Sequence, residues 1–124
     1  MTLLSIHHVS MVVADTALAV SFYTEVLGLS VCQGRPDLGF AGAWLAIGEQ
    51  QIHLLEVENP DPVTNRPEHG GRDRHLAMTV TNLAEIEHKL KDKGIFYTLS
   101  RSGRAALFCR DPDGNGIELI ETKA

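Results

Sequence analysis

Residues 51–56 read QIHLLE and residues 116–121 read GIELIE. Both are short runs in which isoleucine and leucine alternate with other residues, the period-two pattern of a half-buried strand. Both end on glutamate. Their sharpest difference is at the third position, where His53 stands in one and Glu118 in the other. Histidine and glutamate share little except the capacity to ligate a metal ion or carry a proton. A strand repeated with that one position varied therefore sets the reading of the whole chain.

The segments before each run repeat as well. SIHHVSMVV is β-type, with Val9, Met11 and Val13 on one face and His8, Ser10 and Val12 on the other. Asp15 is placed to cap a helix over TALAVSFYTEVLGL, which Gly28 ends. SVCQGR, AGAWLAI and QIHLLEV then form an antiparallel meander. HLAMTV restarts the pattern; Asn82 followed by Glu85 opens the helix LAEIEHKLKDKG, and Gly94 is its C′ residue. FYTLS, RAALFCR and GIELIE complete the second set, the last two joined by the turn DPDGNG. The chain thus reads as one α+β domain over residues 1–124. Its first βαβββ module covers about 1–58, a Pro/Gly-rich linker about 59–74, and the second βαβββ module about 75–124. His75 follows His8 by 67 positions and Glu118 follows His53 by 65, so the copies stay nearly in phase.

Strand alternation then sorts the side chains. If Val9/Met11/Val13, Leu76/Met78/Val80, Ile52/Leu54 and Ile117/Leu119 cover the helix side, then His8, His53, His75 and Glu118 share the opposite side. Singly, each is read as a hydrogen-bonded strand histidine or a solvated strand carboxylate. Together, in repeat register, three imidazoles and a carboxylate form a ligand set for a divalent ion: Ni, Zn, Co, Mn or Fe. Glu118, the only carboxylate, is the candidate general base. His69, in EHGGRDRH, is a rival ligand without a counterpart in the other copy. Trp44 serves either core or substrate wall. Arg66, Arg72 and Arg74 either solubilise the linker or recognise a carboxylate or phosphate beside His75.

Composition excludes several classes. The net charge of −5 argues against a nucleic-acid partner. The N-terminus lacks a basic n-region, and its apolar residues are broken by Ser5, His7, His8 and Ser10, so neither signal peptide nor membrane span is expected. Cys32 and Cys109 stand apart in strand-like segments, which predicts reduced thiols and a cytoplasmic protein. No nucleophile elbow, P-loop or dinucleotide fingerprint is present.

IHHVSMVVADTALAVSFYTEVLGLSV and FCRDPDGNGIELIE closely resemble the opening and ending of the vicinal oxygen chelate superfamily. That superfamily contains glyoxalase I, extradiol dioxygenases, methylmalonyl-CoA epimerase, and fosfomycin- and bleomycin-resistance proteins. The resemblance covers nearly the whole chain. It implies two βαβββ modules forming a U-shaped, partly open mixed β-barrel with helices outside, around a metal, often completed as a homodimer. It also places the ligands at His8, His53, His75 and Glu118; Trp44, Arg72 and Arg74 remain substrate-side candidates from the reading of the residues alone. Glyoxalase I-like proteins generally carry glutamate in the QIHLLE position; here His53 occupies it. The activity implied is a glyoxalase-like lyase or isomerase reaction on a small oxygenated substrate. An Fe(II) extradiol-type dioxygenase and a non-catalytic drug-binding protein are the alternatives.

Overall fold

The computed structural model describes residues 2–123. Its contacts divide the chain into two compact units, Met1–Asp61 and Pro62–Ala124. In the first, β1 (His8–Val13) leads to α1 (Thr16–Ser21), which widens into a π-helical turn at Phe22–Val26; β2 (Ser30–Val31), β3 (Gly42–Ile47) and β4 (Gln50–Glu56) follow. In the second, a 3-10 turn (Gly70–Arg72) precedes β5 (His75–Val80), α2 (Leu83–Asp92), β6 (Tyr97–Leu99), β7 (Ala106–Arg110) and β8 (Gly116–Glu121).

Each unit is a four-stranded mixed sheet, ordered β1-β4-β3-β2 in one and β5-β8-β7-β6 in the other. The expected meander is there. What it leaves open is the partner of the first strand, which pairs in parallel with the last one. That crossover carries the helix over one face, as parallel pairing requires. The helix face is where the core lies. Val13, Leu45, Ile52 and Leu54 in the first unit and Leu107, Ile117 and Leu119 in the second are at most 1% exposed. Tyr23 and Val26 from the π-turn and Leu90 from α2 are equally buried.

The first helix departs from a plain α-helix. Leu27 N–H donates to the Phe22 carbonyl five residues back. The Thr24 hydroxyl also bonds back to the Val20 carbonyl at 2.8 Å, a contact that loosens the local helical ladder. The widened turn buries Phe22, Tyr23 and Val26 together. Gly28 and Gly94 follow the two helices with φ of 77° and 66°, the left-handed geometry expected after a helix. SVCQGR contributes only two strand residues, since Cys32 already leads into a turn. Both cysteines are free thiols.

The shared terminal glutamate of QIHLLE and GIELIE has a structural purpose. Asp15 and Asn82 cap the helices as read from sequence, accepting from Leu18 N–H at 3.1 Å and Glu85 N–H at 3.2 Å. Glu56 accepts from Thr16 N–H at 2.8 Å, and Glu121 from Leu83 N–H at 2.8 Å. Thr16 and Leu83 are the first residues of their helices, so each glutamate satisfies a donor with no intrahelical partner and places negative charge at the positive end of the helix. The last strand of each unit is thereby tied to the start of its helix. Replacing Glu56 or Glu121 with alanine should each cost about 1 kcal/mol of stability. Urea unfolding checks this, and unchanged midpoints in both variants would remove the capping role.

Candidate functional site

In the first unit the open side of the sheet carries His8 and Ser10 from β1, Gln51 and His53 from β4, and Trp44 from β3. His53 lies opposite both Ser10 and Trp44 in the register. Three rings stack there. Trp44 and His53 are 4.3 Å apart between centroids at 8°, and His53 and His8 are 3.9 Å apart at 14°. His53 is buried, and its Nε2 lies 2.7 Å from Gln51 Oε1. Burial, followed by the charges of His8, His7 and Arg35, holds its pKa below the ordinary histidine value. Its neutral form is thus favoured, as metal ligation requires. The arrangement of the pair is another matter. An imidazole lone pair lies in the plane of its ring, and two planes stacked face to face do not meet within a bond length of one ion. His8 has to leave the stack before it and His53 can share a metal.

The second unit repeats the placement with different chemistry. Ala77 pairs with Glu118 just as Ser10 pairs with His53, and His75 pairs with Gly116 as His8 does with Gln51. Glycine is required at 116, because a Cβ there would stand 2.7 Å from the Arg74 carbonyl oxygen and 3.1 Å from His75 Cβ. His75 Nδ1 donates to the Asp73 carbonyl at 2.8 Å, and Nε2 faces Glu118 Oε1 at 3.1 Å. The carbonyl can only accept, so the neutral ring carries its proton on Nδ1 and turns its Nε2 lone pair towards the carboxylate. At 3.1 Å this is an ordinary hydrogen-bond distance, and either a shared proton or a cation would satisfy the facing lone pairs of Nε2 and Oε1. Among the described residues no three His, Cys, Asp or Glu side chains converge. The sequence-derived ligands stand as two pairs, one in each unit.

Around His75 and Glu118 lies a pocket of about 390 Å³. Phe108, buried and opposite Glu118 in the register, meets the edges of His75 and His69 with centroids 5.1 and 4.9 Å away. His69 lines this pocket, with Nδ1 2.7 Å from the Thr98 hydroxyl. Arg72 lines it too, whereas Arg74 is not among the lining residues. Arg66 is committed elsewhere: it forks onto the Asp73 carboxylate at 2.7 and 3.0 Å. Sequence reasoning passed over Arg101 and Arg104, which line the pocket from the β6–β7 loop. Arg104 Nη2 donates to Glu118 Oε2 at 2.9 Å. The signal was the serine–arginine run 100–104 one strand from Glu118, which reads as an ordinary turn until β7 and β8 are paired.

Comparison with known proteins agrees with this architecture. The model of the Glyoxalase/Bleomycin resistance protein/Dioxygenase superfamily matches residues 5–119. The chain belongs to that superfamily. It is 32% identical to Glyoxylase I 4 of Arabidopsis thaliana over 122 residues, covering 94% of this chain and 70% of the plant protein. It is 28% identical to the lactoylglutathione lyase of Escherichia coli O157:H7, covering 94% and 91% of the two chains. A glyoxalase family protein from Bacillus anthracis has the same fold, with a TM-score of 0.80, 26% identity and coverage of 99% and 98%. The chain is therefore a glyoxalase-like member of the superfamily.

In this superfamily member the linker is tied down where it reaches the site. Asp73 accepts both the Arg66 fork and Arg110 Nη1 at 2.8 Å, while Arg110 also donates to the Gly114 and Pro67 carbonyls at 2.9 and 2.6 Å. The Arg66 bonds come first among the causes that hold the Asp73 carboxyl well below the ordinary carboxylate range, and they outweigh its burial. Because the folded pKa is depressed, the stability this group contributes is present above the unfolded value of about 3.9 and disappears as pH falls through the folded one. Asp73→Asn should therefore be less stable than the parent at pH 7, with the gap closing below about pH 4. Unfolding midpoints across that range test this; a gap independent of pH would contradict it.

Proposed function

We propose that the chain is a metal-dependent enzyme of the glyoxalase type, a lyase or isomerase acting on a small oxygenated substrate. The observation that carries this is the His75–Glu118 pair: an imidazole with its Nδ1 proton fixed by the Asp73 carbonyl, its Nε2 3.1 Å from a buried carboxylate oxygen. His8 and His53 are the ligands offered by the first unit. A divalent ion held at His75 and Glu118 would supply Lewis-acid charge for an oxyanion that develops on the substrate.

The proton chemistry falls to Glu118. Its Oε1 faces His75 and its Oε2 holds Arg104. The Arg104 side chain is 56% exposed, so its bond to Oε2 competes with water and is the easier of the two to open. Release of Arg104 presents Oε2 to the pocket as the base that removes and returns a substrate proton. Trp44 and Arg72 are assigned to substrate contact, one on each unit's open face. Arg74 does not line the pocket.

A second reading rests on the ring column Trp44–His53–His8, in which the outer face of an end ring is a stacking platform for a planar compound without any metal. Metal analysis separates the readings. Protein purified without chelator or histidine tag should carry near one divalent ion per chain. His75→Ala and Glu118→Gln should each lose it while keeping the far-ultraviolet spectrum of the parent. Nickel, zinc, cobalt or manganese directs the assay to the lactoylglutathione lyase reaction named for the bacterial relative; iron directs it to oxygen uptake with catechols. Full metal retention in both variants overturns the ligand assignment. No metal after reconstitution with each ion, with tight binding of planar compounds, gives the platform reading the lead.

A further inference from the structure

We infer that the pocket of the second unit is a receptor for a dianionic oxyanion group on the substrate, held between Arg72 and Arg101. The inference rests on the proposed function only in placing this group beside the reacting centre; the receptor itself requires no metal. The chain as a whole is acidic, with a net charge of −5, yet the pocket wall brings together Arg72, Arg101 and Arg104 against Glu118 alone. Arg104 is neutralised by Glu118. Arg72 and Arg101 both line this concavity and have no side-chain acceptor among the described residues, so two arginine charges at its wall are unmatched. Matching them takes a group of charge near −2.

Exposed arginines are ordinarily just solvated, and these differ in what carries them. Arg72 ends a 3-10 turn closed by its own N–H to the His69 carbonyl at 3.1 Å and by Asp73 N–H to Gly70 at 3.1 Å. That turn is pressed onto the pocket floor, since a Cβ on Gly70 would lie 3.0 Å from Phe108 Cβ. Its far end is Asp73, clamped by Arg66 and Arg110. Arg101 sits in a loop fastened by the Ser100 hydroxyl, which accepts from Ser102 N–H at 3.2 Å, and by Ser100 N–H to the Ala106 carbonyl at 2.9 Å. The Ser100 and Ser102 hydroxyls, 2.8 Å apart, line the same pocket and add neutral donors to the charged ones. Both guanidinium groups thus project from backbones fixed before any ligand arrives, which lowers the ordering cost of an anion site. A phosphate ester or a phosphonate has the required charge; a lone carboxylate carries half of it.

The test uses the full chain stripped of metal on a chelating resin, with binding followed by calorimetry. Inorganic phosphate and methylphosphonate should bind, acetate should bind about tenfold more weakly, and added sodium chloride should weaken all three. In the Arg72→Gln/Arg101→Gln double variant, checked for an unchanged unfolding midpoint, phosphate affinity should fall about tenfold or more. Equal phosphate affinity in parent and variant, or acetate binding as tightly as phosphate, would overturn the inference. The same preparation is then titrated with metal. Phosphate binding without metal binding leaves the receptor standing and removes the metal-dependent mechanism; metal binding without phosphate binding does the reverse.

Discussion

The parallel pairing of first and last strands is the constraint on which the rest of each unit depends. It sets Ser10 opposite His53 and Ala77 opposite Glu118, so that the candidate ligand on the last strand lies diagonally from the one on the first. A slip of one residue would turn His53 and Glu118 into the helix-side core and expose Ile52, Leu54, Ile117 and Leu119. Such a slip would bury a carboxylate among aliphatic side chains without a partner and remove four fully buried apolar residues from the core. Both penalties act in the same direction. The capping glutamates reinforce the register from outside, because Glu56 and Glu121 reach Thr16 and Leu83 only when the strand ends where it does. The offsets of 67 and 65 positions that relate the histidines and the varied site also relate Thr16 to Leu83 and Glu56 to Glu121. The repeat therefore preserves both an architectural contact and a chemical position.

Most of the fold was legible because it rests on local periodicity and capping. The alternation in HLAMTV, the Asp15 and Asn82 caps and the two helix-ending glycines are one-dimensional signals, and each appears in the structure. The π-turn was not legible, since the Thr24 back-bond to Val20 and the joint burial of Phe22, Tyr23 and Val26 that accompany it leave no periodic pattern. At the site, the sharing of a face by His8 and His53, and by His75 and Glu118, could be derived from strand parity. Ring orientation could not. Parity places a Cβ on a face and leaves χ1 and χ2 to the neighbours, and Trp44 and Gln51 are the neighbours that lay His53 flat against His8. Arg101 and Arg104 were missed for a related reason: a loop residue gains its meaning from the strand its loop returns to.

The two copies have diverged in kind. In the first, the varied position is an imidazole whose pKa is lowered by burial, sandwiched between rings, with a single polar contact from Gln51. In the second it is a carboxylate between an imidazole and a guanidinium. The first face therefore carries a column of rings beside Ser10 and Gln51, and the second a carboxylate among hydrogen-bond donors.

Asp73 joins the two roles of the second unit in one residue. Its carbonyl fixes the Nδ1 proton of His75, and its backbone N–H closes the turn that presents Arg72. Its carboxylate, held by Arg66 and Arg110, keeps that stretch of backbone in place. An ion pair buried this far gives little net stability over an apolar substitute, because desolvation offsets much of the attraction. Its value lies in position: His75 Nε2 and the Arg72 guanidinium are set by the same few atoms of main chain. Outer contacts of this kind fix the tautomer and direction of a ligating histidine. The sequence PEHGGRDRH, which reads as slack linker, is in this sense the support on which His75 and Arg72, candidate site residues of the second unit, are mounted.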